Sequence, residues 1–304
     1  MSGILPIAHG KPSWIMLRQY MIASGSNMMD FVIPPPLSRP ARPASSRWAN
    51  DGTTARDSPI QAATSPMPAS GIVYAIGDIH GMDDLLARLL AAIAADRPDK
   101  TTPYTVVFLG DVVNQGAQTR QVLQWLIAGP AHAARRWIVL RGNHEQAMLD
   151  ALTRADEDSF RRRLRSGGMR TLASYGGTRR DASPSRARAL VGEDHLDFLA
   201  SLPLTHVAGG HSFVHAGVAP GVSLAEQSPP PLMNIRGAFL RKRHGLPYTA
   251  VHGNTPTTGE PWIGPGWIGA GSGACVTGIL TSIAIDTATR QRRFLRVSVP
   301  VMSP

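Results

Sequence analysis

The sequence predicts an α/β fold built on a parallel sheet, and three observations predict it. Short β-branched runs alternate with helix-spaced segments in units of about 30 residues, the strand–helix–strand signature. Each of the first three runs is followed by glycine and an acidic or amide residue: Gly77-Asp78, Gly110-Asp111 and Gly142-Asn143. Two late alternating segments, around 276–285 and 294–299, read as antiparallel strands and suggest a second sheet packed on the first.

In chain order, Ile72 to Ile76 is a buried strand broken by Gly77. Met82 to Ala95 carries apolar residues at 82, 85, 86, 89, 90 and 93, which is helix spacing, with Asp83 and Asp84 suited to its first turn. Thr105 to Leu109 is the second strand, and Gln118 to Ala128 a helix stopped by Gly129-Pro130. Trp137 to Leu140 is the third strand, with a helical stretch from Gln146 to Leu152. Residues 154–205 read as a mostly helical insertion covering one side, with Arg161, Arg162, Arg163 and Arg165 forming either a solvated face or a phosphate-recruiting rim, the first being favoured. Strands return at Ser212 to Val214, leading into His215, and at Tyr248 to Val251, leading into His252 and Asn254.

In parallel sheets, ligands bind beyond the carboxyl ends of the strands. Asp78, His80, Asp111, Asn143 and His144 all stand there, and carboxylate with imidazole suits a hard or borderline divalent metal.

Composition bounds the rest. Ten of the 25 prolines fall within residues 1–70, which have no helical or strand period and read as a disordered extension beside a domain over 71–304. That extension is either a partner-binding tail or an over-extended start, with Met67 or Met29 as initiator; the second is favoured. The single cysteine, Cys275, excludes an internal disulfide framework and fits a reducing cytoplasm. A net charge of +10 invites nucleic acid, but 6% aromatics without aromatic–basic interleaving argues against it. No apolar run reaches the ~18 residues of a membrane span, and no secretory signal is expected.

With Gly-Asp-Ile-His-Gly at 77–81, Gly-Asp-x-Val at 110–113, Gly-Asn-His-Glu at 142–145 and His-Ala-Gly at 215–217, residues 71–299 resemble a calcineurin-like metallophosphoesterase, specifically the bacterial serine/threonine phosphoprotein phosphatase type. The resemblance implies a two-sheet sandwich flanked by helices and two divalent cations, Mn²⁺ or else Fe or Zn. Asp78 and His80 would hold the first, Asp111 would bridge, and Asn143 and His215 would hold the second. His144 would protonate the leaving oxygen, and Arg236 would grip phosphate. The substrate would be a phosphorylated protein or a small phosphoester.

The chain departs from that pattern at the chemistry. Asn114 stands where the family has the aspartate that orients the histidine, and Gln115 where it has a phosphate-binding arginine. Asn254 stands where it has a ligating histidine; an amide oxygen is the weaker ligand. His252, two positions earlier, would be displaced by ~6.6 Å and reads as an ordinary strand-end histidine. Gly271-Ser272-Gly273 and Asn234 replace further substrate-site residues. Three functions follow: a phosphatase of reduced activity, a pseudophosphatase that binds a phosphorylated partner, or a dinucleoside polyphosphate hydrolase.

Overall fold

The computed structural model describes residues 71–96, 103–131, 135–153, 157–257 and 260–299. The expectation for residues 1–70 lies outside them. Ten strands are described: β1 (Ile72–Ile76), β2 (Tyr104–Phe108), β3 (Arg135–Val139), β4 (Thr205–Ala208), β5 (His211–Val214), β6 (Thr249–His252), β7 (Trp262–Gly264), β8 (Trp267–Gly269), β9 (Ile279–Asp286) and β10 (Arg292–Ser298). They form two sheets flanked by helices, ordered β10-β9-β1-β2-β3 and β4-β5-β6-β8-β7.

In the first sheet β1, β2 and β3 run parallel and in step, Ile76 beside Phe108 and Phe108 beside Val139. Alternation along β1 turns Val73 and Ala75 toward the second sheet, where they join Val107, Leu109, Phe213, Val251 and Ile268 in a core closed to water. The helix Asp83–Ala95 buries Leu85, Leu86, Leu89 and Ile93, as its spacing predicts. On the outer face of the second sheet a separate cluster of Val214, Leu232, Phe239 and Trp267 forms under the short helices Pro229–Asn234 and Gly237–Arg241.

Three readings need correction. The late strands do not begin a second sheet: β9 pairs with β1 and β10 with β9, so both extend the first. A short helix, Ala274–Thr277, occupies the start of the segment expected as strand. The second sheet is instead built from β4 to β8, of which β4, β7 and β8 went unforeseen. Alternation reveals that a strand has one buried face, but not which neighbour pairs with its edge. The third helix also begins earlier than expected, at Asn143, so Asn143 and His144 sit in its first turn. Of the 154–205 region, the described residues from 157 on are mostly helical, with Glu157–Arg163, Met169–Ser174, Pro184–Val191 and Glu193–Ser201. No helix among the described residues is long and apolar enough to cross a membrane.

Candidate metal centre

Because β1, β2 and β3 end in step, the loops after them lie side by side. The His80 N–H donates to the Asp111 carbonyl at 2.9 Å, and the Gly116 N–H to the His80 carbonyl at 2.8 Å. These loops bend sharply. Among the described residues six non-glycines have left-handed φ, and five are candidate site residues: His80, Asp111, Asn114, Gln115 and Asn254. Such a conformation costs ~1–2 kcal/mol for an L-residue, so the loop–loop bonds hold strain at this edge. Two glycines make room for the carboxylates. A Cβ on Gly142 would strike Asp111 Oδ1, and one on Gly253 would strike Asp78 Oδ1.

Glu145 holds the second loop in place. Fully buried, it accepts four backbone N–H groups: Asp111 at 2.8 Å, Val112 at 2.9 Å, Val113 at 3.1 Å and Gly142 at 2.8 Å. The Asp111 carboxylate is fixed in turn by the His144 N–H, which donates to Oδ1 at 2.8 Å.

Asp111 Oδ2 is then left facing three imidazoles: His215 Nε2 at 3.4 Å, His80 Nε2 at 3.8 Å and His144 Nε2 at 3.9 Å. Asn143 Oδ1 lies 3.1 Å from His215 Nε2. Two of these rings are tied behind. His80 Nδ1 meets the Val113 carbonyl at 3.0 Å and His215 Nδ1 the Leu109 carbonyl at 2.8 Å. A carbonyl only accepts, so each Nδ1 carries a proton and each Nε2 faces inward, the nitrogen a metal-ligating histidine presents to a cation once it is deprotonated. His80, Asp111 and His144 each offer a ligand atom within 4.8 Å of the others. Around Asp111, the imidazoles of His80 and His215 and the amide oxygen of Asn143 are donors that fit a divalent cation.

The charges agree. Burial opposes charging of His215, yet Asp111, by charge and hydrogen bond, with Asp78 and Glu145 raises it to about 9. Burial alone would raise Asp111, but His215, His144 and His80 hold it well below the usual carboxylate range. Burial pushes Asp78 up, with Asp111 adding to it. Without a cation, a proton on His215 answers the negative field.

The remaining candidates divide. Asp78 Oδ1 accepts the Asn254 N–H at 3.0 Å, and Arg236 Nη2 donates to both Asn254 oxygens at 3.2 Å, so these three form one chain. Asn114 reaches His144 Nδ1 through Nδ2 at 3.2 Å and accepts from Thr171 Oγ1 at 2.9 Å. Gln115 donates through Nε2 to the Ser166 carbonyl at 3.3 Å, the acceptor that Asn114 Nδ2 also reaches. His252 packs against Phe239 and Trp267, its ring edge-on to each, and burial lowers it to about 4.

One expectation fails inside the arginine cluster. Arg161, Arg162 and Arg165 are exposed, but Arg163 folds inward and donates to the His144 carbonyl through Nη2 at 2.6 Å. Neither Arg163 nor Glu145 was picked out as part of the site. Glu145 was legible as the last letter of Gly-Asn-His-Glu; nothing in the local pattern distinguished Arg163.

The calcineurin-like phosphoesterase family matches residues 72–266, and the chain belongs to that family. Its curated relatives include the symmetrical bis(5'-nucleosyl)-tetraphosphatase of Xanthomonas oryzae pv. oryzae, 31% identical over 153 residues, 49% of this chain and 39% of the relative. The corresponding protein of Xylella fastidiosa (strain 9a5c) is 30% identical over 153 residues, 49% of this chain and 43% of the relative. The matched stretch thus spans about two fifths of those relatives' length. Among solved structures, a hypothetical protein from Pyrococcus horikoshii OT3 aligns with TM-score 0.49 at 15% identity, covering 76% of this chain and 89% of that one. A protein serine/threonine phosphatase from Saccharomyces cerevisiae aligns with TM-score 0.48 at 16% identity, covering 77% and 81%.

Proposed function

We propose that the chain is a two-metal phosphoesterase whose centre is organised by Asp111. One observation carries this: His80 and His215, each tied at Nδ1 to a backbone carbonyl, turn Nε2 toward the same carboxylate oxygen at 3.8 and 3.4 Å. Asp78, His80 and Asp111 would hold one cation; Asp111, Asn143 and His215, with Asn254 at the margin, would hold the other. Imidazole, carboxylate and amide together suit Mn²⁺, Fe²⁺ or Zn²⁺. When bound, two such cations supply acidity to the attacking water and charge to steady the phosphoryl oxygens. Of the chain's own groups, His144 Nε2 faces this centre and is placed to interact with the leaving oxygen. Arg236, anchored on Asn254, supplies the cationic wall for phosphate. Asn114 and Gln115 bring no charge, which supports a slow reaction.

On substrate, the resemblance favours phosphomonoesters, including phosphoserine and phosphothreonine. The named activity of the curated relatives favours a second reading, hydrolysis of dinucleoside tetraphosphates. Full-length protein with Mn²⁺ is to be assayed on para-nitrophenyl phosphate, a phosphoserine peptide and diadenosine tetraphosphate, beside Asp111→Asn. Turnover lost in the variant is expected, and the preferred compound identifies the substrate. Equal rates in folded wild type and variant would overturn the proposal and leave a phospho-partner binding protein.

A further inference from the structure

The guanidinium of Arg163, the last residue of the helix Glu157–Arg163, closes on one residue. Nη2 donates to the His144 carbonyl at 2.6 Å, while Nη1 lies 3.3 Å from His144 Nδ1. A second donor meets the same ring nitrogen: Asn114 Nδ2, 3.2 Å away. The orientation of that amide follows from its surroundings, since Nδ2 also donates to the Ser166 carbonyl at 3.3 Å while Oδ1 accepts from Thr171 Oγ1 at 2.9 Å. A guanidinium has no acceptor, and a neutral imidazole has one N–H and one lone pair. Nδ1 must therefore be the acceptor.

We propose that Arg163 is a positioning residue for His144, fixing the ring so that Nε2 carries the proton and faces the metal centre as a hydrogen-bond donor. The polarity is the reverse of that at His80 and His215, whose Nδ1 atoms face carbonyl oxygens. It is also the reverse of what an aspartate at 114 would impose. His144 is thus no third imidazole ligand, although its Nε2 lies 3.9 Å from Asp111 Oδ2. It offers a fixed N–H to an oxygen bound at the centre, where a pre-oriented donor steadies negative charge as it develops. Only this kinetic consequence rests on the phosphoesterase reading; the hydrogen-bond polarity stands on geometry.

The test uses the full chain, chelator-treated and labelled with nitrogen-15 histidine, its His144 signals assigned by their loss in His144→Asn. Ring nitrogen–proton correlation spectra are expected to show the His144 proton on Nε2. In the double variant Arg163→Met, Asn114→Asp, which removes both donors and supplies an acceptor, the proton is expected on Nδ1. A proton on Nδ1 in the wild type overturns the proposal, with no variant needed. Arg163→Met alone is expected to lower kcat about 100-fold at nearly constant KM, the scale of a misplaced catalytic group. Arg163→Lys, which can reach one acceptor but not two, recovers part of it. An unchanged kcat, or a loss confined to KM, would overturn the positioning role. A wild type with the proton on Nε2 but no hydrolysis of any phosphoester would support the polarity and overturn the proposed function.

Discussion

Asp111 Oδ2 lies 3.4 Å from His215 Nε2, and each side chain sets the charge of the other. Both are almost fully buried, so water screens the pair little. His215 is raised in the folded chain from its ordinary 6.5 to about 9. A raised histidine contributes stability that is complete below the unfolded value and is lost as pH climbs through the folded one. The denaturation midpoint of the metal-free chain is therefore expected to fall between about pH 6.5 and 9, and His215→Gln to flatten that slope. Urea titrations across the window check both, and a wild-type midpoint that rises there would contradict the assignment.

The same proton competes with a cation, since a ligating imidazole must give it up. Affinity for Mn²⁺ or Zn²⁺ is expected to rise with pH up to about 9, with proton release on binding. Calorimetry in two buffers of different ionisation enthalpy measures the release directly. Binding without proton release would mean that His215 is not a ligand.

Glu145 accepts four loop N–H groups, so its loss strands them in a closed site. Glu145→Ala is expected to cost about 3 kcal/mol or more, because unpaired buried donors cost ~1–3 kcal/mol each. Glu145→Gln, which keeps one accepting oxygen, should fall between. Urea denaturation at fixed pH gives both values.

Asn254 is the weakest member of the proposed ligand set, and Arg236 already occupies its side-chain oxygen. Asn254→His is expected to tighten the second cation, with Asn254→Ala as the control for mere loss of the Arg236 contact. Metal titration by calorimetry reads affinity and stoichiometry, and no change in the histidine variant would remove position 254 from the centre.

Gln115 adopts φ 63° and spends its side chain on a single exposed contact to Ser166. Glycine accepts that backbone freely, so Gln115→Gly is expected to raise stability by about 1 kcal/mol. A destabilised variant would show that the Ser166 contact outweighs the strain.

Much of this centre was legible because its loops share a device. Gly-Asp or Gly-Asn after a short apolar strand marks both where the backbone breaks and what chemistry stands at the break. The strands of the second sheet were harder, though one signal was in plain sight. Trp262-Ile263-Gly264 and Trp267-Ile268-Gly269 repeat one tripeptide across Pro265-Gly266, and they form the antiparallel pair β7 and β8. Three residues are too few for alternation to register, so turn chemistry was the only cue. Arg163 was illegible for another reason. Its neighbours Arg161 and Arg162 do face water, and only the fold brings His144, 19 positions earlier, beneath the helix end.

The pairing of β9 with β1 bears on how the molecule is made. Every candidate site residue lies between 78 and 254, and leaves the ribosome before Ile279–Asp286. Until that strand arrives, β1 presents one edge bare, with its N–H and C=O groups open to any other extended chain. Gly77 gains its Thr281 partner only then, at 3.2 Å, directly before Asp78. The nascent chain would therefore carry all its chemistry on an unfinished sheet, exposed to mispairing until its last strands arrive. A truncation before residue 279 should consequently emerge as aggregate rather than as a weakened enzyme.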